Sequence, residues 1–448
     1  MDEKEHFIEI NNEPSGVSVD ISAESAHWSK RCIYRIPPCV TDLNKKVYAP
    51  QMVSLGPYHH GTRNLSAMEV HKRRALSHFL KRSGKPFCRF VHALTPAVQD
   101  LRDAYDNLDS EWQDDEKFLK LMIVDGCFVL EILRTTTATM TTAMSTTATT
   151  QTDHKPQDYA SNDPIFSNHG KLYFVPYLRR DMSMLENQLP MRVLEELVSV
   201  QNDDFFKEGK LKMRILEFFS QPVSDTDQFD NCLHMLDLYR RSLLGKEPLP
   251  QQKKKRPRIS RGGDEIIRSA TELTEAGIRI EKSKTRSLRD ISFHRGVLKL
   301  PLIMVDDTLE SLYLNLIAFE RFHVGAGNDI TSYIFFMDNI IDSARDVSLL
   351  HSCGIIQNAL GSDKMVANLF NSLSRDAPLD PESKLNEVHQ LVSDYCQKTW
   401  HKWRANLKHT YFTNPWASLS VIAAIFLFAL TIIQTVYTIL QYVNPSSS

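Results

Sequence analysis

The feature that most constrains this chain is a run of 24 uncharged residues, Ala417 to Leu440, reading ASLSVIAAIFLFALTIIQTVYTIL. As a helix it would reach about 36 Å, enough for a hydrocarbon core of about 30 Å with some tilt. A helix is the one form in which such a segment satisfies its own backbone in lipid. Trp416 stands at one end and Tyr437 and Tyr442 near the other, as interfacial anchors do. Gln434 and Thr435 dilute the second half, so a buried core helix is the competing reading. Asn414-Pro415 can cap and start the helix, which is expected over 414–443 with a short tail at 444–448. Lys398, Lys402, Arg404 and Lys408 precede it, and no acid follows Tyr395. The positive-inside rule keeps that basic flank cytosolic. The sequence therefore predicts a tail-anchored, single-pass protein of the plasma membrane or an endomembrane, with the bilayer as partner and a cytosolic body.

The body has ample material for a core, at 42% hydrophobic residues over a 448-residue chain. A net charge of −2 gives no basic field, and no nucleic-acid partner is expected. Seven scattered cysteines without a C-x-x-C pair do not make a disulfide scaffold or a zinc ribbon, and they fit reduced thiols. The start, MDEKEHFIEINNEPSG, lacks the pattern of a cleavable signal peptide, and residues 1–27 read as a disordered tail.

From residue 28 to 412 the pattern is mainly helical. Ser66-Ala-Met-Glu69 has the form of a capping box, with Leu65 and Val70 as a hydrophobic staple, opening a helix to about Arg82. Thr95-Pro96 opens another. Phe118–Leu133 is apolar nearly all round, which predicts a buried helix. The threonine-rich stretch after it, near 135–160, and the basic run QQKKKRPRISRGG within 246–264 are expected to be disordered insertions. Helical patterns resume over 178–198, with a break at Leu189-Pro190, then over 213–219, 232–244 and 266–276.

Beyond Gly277 the period changes. Ile278–Ile280, Ile291–Phe293 and Val297–Leu300 are β-rich, with His294-Arg-Gly296 as a hairpin turn. Met52–Leu55 reads as a further short strand closed by Gly56-Pro57. Asp307-Thr-Leu-Glu310 should cap a helix that buries Leu309, Leu312, Tyr313, Leu316 and Phe319. The fold class is thus mainly α (α+β): a large helical domain, a small antiparallel sheet and one C-terminal span.

Three stretches near the start, Cys32-Ile-Tyr-Arg-Ile-Pro, Tyr48–Gly61 and Met68-Glu-Val-His-Lys72, resemble the plant family called "domain of unknown function 247". So do Val124–Phe128, Arg180–Pro190, Arg268–Leu273, Asp338–Ile341, Gly361–Asp363 and Tyr411–Trp416, all in order. The resemblance spans residues 31 to 443. It implies a plant membrane protein with one C-terminal span and no established activity; some grass members are linked to self-incompatibility.

The densest polar cluster is His59, His60, Glu69, His71 and His78. Metal ligands must converge on one point, yet Glu69 and His71 do not share a helix face and no H-E-x-x-H occurs, so structural histidines are favoured over a metal site. Glu186-Asn187-Gln188, just before a proline break and after Arg179, Arg180 and Asp181, reads as a buried polar network, with a ligand pocket as the alternative. Asp125, in the most apolar helix, must find a partner or be protonated; an ion pair is favoured over a catalytic acid, and Gly126 beside it suits close packing. Lys253–Arg261 reads as a solvated linker rather than an import signal or lipid patch. Asn64-Leu-Ser66 is a glycosylation acceptor in a lumenal setting.

No catalytic residues, no metal and no cofactor are expected. The favoured function is membrane-tethered recognition or signalling with a protein partner. Two alternatives stand. One is a metal-dependent hydrolase using His59, His60, His71, Asp125 and Glu186. The other is a tether that sets the basic flank on anionic lipid.

Overall fold

The computed structural model describes residues 25, 28–42, 44–143, 159–207, 209–221, 229–245, 268–375, 384–397 and 415–443. The expected tail over 1–27, apart from residue 25, the basic run at 246–264 and the flank bearing Lys398, Lys402, Arg404 and Lys408 lie outside the described residues.

The first half is built on α4 (Asp115–Ala143). Phe118, Met122, Ile123, Cys127, Phe128, Ile132 and Leu133 are all buried, as a helix apolar on every side must be. Around it pack α1 (Ser66–Ser83), α2 (Phe87–Leu94), α7 (Met191–Gln201) and α8 (Lys210–Phe218), with the short α3 (Val98–Asp103) following α2. A Cβ at Gly126 would stand 2.5 Å from Leu197 Cδ1 and 3.2 Å from Val193 Cγ1, so α4 and α7 approach closely over this glycine and a larger residue would make Leu197 shift. The helix does not stop where the threonines begin. Thr135, Thr136 and Thr137 remain helical, and their hydroxyls donate to the carbonyls of Glu131, Ile132 and Leu133 one turn back. Disorder from residue 135 is therefore corrected for 135–143, and Tyr159 is already core, stacked on Phe166 at 4.1 Å. Residues 144–158 lie outside the described residues.

The chain then forms α5 (Asn168–Tyr173), α6 (Val175–Met182), α7, α8, α9 (Met235–Leu244) and α10 (Ala270–Glu275). The expected break at Leu189-Pro190 separates α6 from α7. The capping box at Ser66 is not formed. Ser66 Oγ donates back to the Arg63 carbonyl, because a 3-10 turn, Arg63–Leu65, already leads into α1. Glu69 is drawn to Lys72 instead, and Val70 is exposed, so no staple closes on Leu65.

The second half holds the strands. β1 (Arg279–Lys282), β2 (Ser292–His294) and β3 (Val297–Leu300) form one sheet in the order β1-β3-β2. The hairpin is as expected: β2 and β3 are antiparallel, and Arg295 and Gly296 both take positive φ in the two-residue turn. The sheet is mixed rather than antiparallel, since β1 pairs with β3 in parallel. A second, parallel pair joins β4 (Ile303–Val305) to β5 (Ile356–Asn358). Helices α11 (Leu309–Phe322), α12 (Asp329–Ile340), α13 (Ala344–Ser352) and α14 (Asp363–Leu373) pack beside them. No side chain caps α11: Asp307 does not, and Asp306 accepts from the amide and hydroxyl of Thr308, the residue before the helix. Along α11, Leu309, Tyr313, Leu316 and Phe319 are buried as expected, and Leu312 is partly so.

Helix α15 (Lys384–Gln397) lies on β2, with Tyr395 edge-on to Phe293 at 5.5 Å. Helix α16 (Pro415–Val443) contains the 19-residue window Ile422–Leu440, long and apolar enough to cross a membrane by length and composition, with no part of it covered by the body.

Candidate functional site

Met52–Leu55 is not a strand: it begins in a bend, and no strand among the described residues pairs with it. Side chains do the work of a ladder. Asp181, the next-to-last residue of α6, accepts from the amides of Gln51 (3.1 Å), Met52 (2.6 Å) and Val53 (3.0 Å). Asn187 accepts from Leu55 at 2.6 Å and donates to the Val53 carbonyl at 3.0 Å. Asp125 accepts from Gly56 at 2.9 Å. Gly56 has φ +70°, and a Cβ there would meet the Gln188 carbonyl and the Tyr105 hydroxyl at 2.9 Å, so only glycine fits the end of this segment. Burial raises the Asp181 carboxyl, against the three amide bonds that favour its charged form.

Lys72 lies beneath the segment. It is 2.7 Å from Asp125 and 2.8 Å from Glu69, and it donates to Ser54 Oγ at 3.2 Å. The Lys72 and Asp125 side chains are both 0% exposed. Burial works against the ammonium, but Asp125 and Glu69 outweigh it, so Lys72 is pushed above its usual value. Burial raises Asp125, and Lys72 opposes the rise. Asp125 therefore sits in an ion pair, as expected from its isolation in an apolar helix.

Glu186, Asn187 and Gln188 form the expected polar network. Glu186 Oε1 accepts from the Ile36 amide at 2.6 Å, and Oε2 lies 3.1 Å from His59 Nε2. Gln188 donates to the carbonyls of Met182 (2.7 Å) and Met184 (2.8 Å), and accepts from Leu236 at 3.1 Å. Each amide thus replaces backbone partners that the turn between α6 and α7 leaves open.

The histidines do not converge. His60 is edge-on to Trp112 at 5.5 Å, His71 Nδ1 is 2.9 Å from Arg74, and His78 packs on Tyr159 at 4.2 Å. Burial and then Arg74 lower His71. No group of three metal-ligating side chains occurs among the described residues.

Two residues that sequence reasoning passed over matter here. Lys72 is hidden in a run of basic residues, where nothing marks it as buried. His234, at the N-cap of α9, is fully buried: Nε2 is 3.0 Å from the Cys32 carbonyl, and Nδ1 accepts from Asp237 at 3.2 Å. Those partners fix the neutral tautomer with its proton on Nε2. Burial holds its pKa down at about 4. The unfolded value is about 6.5, so below that the unfolded chain binds the extra proton and stability falls with pH. We expect this group to remove about 3 kcal/mol as pH falls from about 6.5 to about 4. Urea titrations across that range should show the loss in the wild type and a flatter profile in His234→Gln; parallel profiles would contradict it.

Open cavities lie elsewhere. One of about 500 Å³ is lined by Asp237, Arg240, Arg241, Arg289 and His323. Its arginines are already paired, Arg240 with Glu320 at 2.7 Å, Arg241 with Asp237 at 2.9 Å and Arg289 with Asp329 at 2.7 Å. Another, of about 280 Å³, lies between α6, α9, the start of α11 and the β4–β5 pair, and includes Arg179, Arg180 and Arg286.

The profile of a plant protein family of unknown function matches residues 33–430. A UPF0481 protein of Arabidopsis thaliana is 30% identical, over 94% of this chain and 89% of that protein. A second Arabidopsis UPF0481 protein is 22% identical, over 90% of this chain and 89% of its own length. No solved structure matches.

Proposed function

The chain belongs to the plant family of unknown function designated domain of unknown function 247, and from that premise we propose that it is a membrane-anchored recognition protein rather than an enzyme. The observation that carries the anchor is α16. Its large apolar side chains, among them Ile422, Phe426, Phe428, Ile432 and Ile433, face outward and meet no part of the body. Three of its threonine hydroxyls are satisfied within the helix: Thr431, Thr435 and Thr438 donate to the carbonyls of Leu427, Thr431 and Gln434 at 2.7–2.8 Å. A helix that bonds its own backbone and these hydroxyls and exposes large apolar side chains suits lipid. The basic residues before it support, by the positive-inside rule, a body on the cytosolic side.

Recognition is supported by the fate of the acid–base residues. Asp125, Glu186 and His71 are committed to holding the fold, which leaves the body's outer surface as the working part.

The full chain should pellet with membranes and resist alkaline carbonate; extraction into the supernatant would overturn the anchor. On sealed vesicles an N-terminal tag should be digested by protease, with Asn64 bare. A protected tag or a glycan on Asn64 would put the body on the other side. In mild detergent the chain should migrate with a bound protein, and a lone monomer from native tissue would overturn recognition.

A further inference from the structure

The cavity between α6, α9, α11 and the β4–β5 pair has an unbalanced charge. Three arginines (Arg179, Arg180 and Arg286) line it against one carboxylate, Asp306. Asp306 accepts from the amide and hydroxyl of Thr308, just before α11. Arg179 is the unusual member. Its Nε is buried without a hydrogen-bond partner, and its guanidinium lies over the Phe218 ring at 5.4 Å. Other arginines withdrawn from solvent meet a carboxylate: Arg82 meets Glu131, Arg134 meets Asp203 and Arg240 meets Glu320. Arg179 has no such partner among the described residues. Burial draws it below the usual guanidinium value, against the pull of Tyr239 and Asp306. A partly buried guanidinium opening into a cavity favours the arrival of an anion.

We propose that this cavity is a binding site for a phosphate monoester, held by Arg179 with Arg286 and Arg180. A dianionic phosphate balances the excess of two positive charges, whereas a carboxylate would leave one over. Guanidinium forks suit its oxygens. Leu309, Leu312 and Met304 supply an apolar wall for the organic part of the ligand. At about 280 Å³ the space suits a small head, not a nucleotide. The monoester has two sources, a soluble metabolite or the headgroup of a lipid such as phosphatidic acid. The inference does not rest on the membrane anchor.

The test is calorimetric titration of the detergent-solubilised full chain with phenyl phosphate and, separately, with a short-chain phosphatidic acid. Saturable, salt-sensitive binding of either supports the site, and the tighter of the two identifies the source. Arg179→Gln should weaken binding about ten-fold or more, while the surface change Lys364→Gln leaves it intact. Should Arg179→Gln not fold, Arg286→Gln, exposed and outside the core, should weaken binding by about three-fold or more. The site is refuted if neither ligand saturates at millimolar concentration, or if a folded arginine variant binds as the wild type does.

Discussion

Lys72→Met should cost about 3–5 kcal/mol of stability, because it leaves the Asp125 carboxylate buried without its ammonium. The methionine fills the stem but not the charge. In that variant Asp125 is pushed further above its ordinary value. A carboxyl whose folded pKa is raised binds its proton more readily folded than unfolded, so stability rises as pH falls toward and below the folded value. The deficit should thus be largest at neutral pH and shrink in mild acid. The double variant Lys72→Met/Asp125→Asn should recover much of the loss, since the neutral amide still offers an oxygen to the Gly56 amide. Urea midpoints at neutral pH and in mild acid measure all three chains. A single-variant loss below about 1 kcal/mol would match an exposed pair and contradict the buried one. A double variant no better than the single would mean that charge isolation is not the cause.

Asp181→Ala should be nearly as damaging and more local. Three amides, those of exposed Gln51, partly buried Met52 and buried Val53, lose their acceptor together. At about 1–3 kcal/mol for each orphaned group, with partial relaxation, the loss should be roughly 3–5 kcal/mol. Hydrogen exchange separates this from general loosening. Amides 51–53 should lose protection, while Leu55, held by Asn187, and Gly56, held by Asp125, keep more of theirs. Unchanged protection at 51–53 would falsify the account of Asp181 as the acceptor that replaces a strand.

The difference between what could be read in advance and what could not follows distance along the chain. The buried helix α4 announced itself, because Phe118 to Leu133 is apolar on every face and nothing else can be done with it. The hairpin was legible because Arg295-Gly296 is a local turn signal between alternating runs. Asp125 as an ion pair followed from one carboxylate among apolar neighbours, and Gly126 from its need for room. The capping box failed because Ser66 and Glu69 satisfy a local pattern that distant groups outbid: Lys72 is pulled down to Asp125, and Glu69 goes with it. Met52–Leu55 had the composition of a strand, but its acceptors come from α6 and the turn after it, and no local pattern names them. The parallel pairing of β1 with β3, and of β4 with β5, is hidden for the same reason. For the ligand cavity, Arg179-Arg180-Asp181 drew notice, but the missing counter-ion of Arg179 is a property of three dimensions.

The lattice of bonds around Met52–Leu55 also sets a schedule. Asp181 follows Val53 by 128 positions. At about 5–20 residues per second, the ribosome needs roughly 6–26 s to deliver that carboxylate after it has made the segment. Through that interval Val53 and Leu55, buried in the folded chain, lack the side-chain acceptors of Asp181 and Asn187. Lys72 and Asp125 arrive earlier and can close beneath the segment first, so the nascent chain passes through a stage with its floor built and its upper clasp missing. A newly made molecule is therefore at its most adhesive before α6 emerges, and a chaperone that covers residues 51–56 until then would protect the step on which the first half of the fold depends.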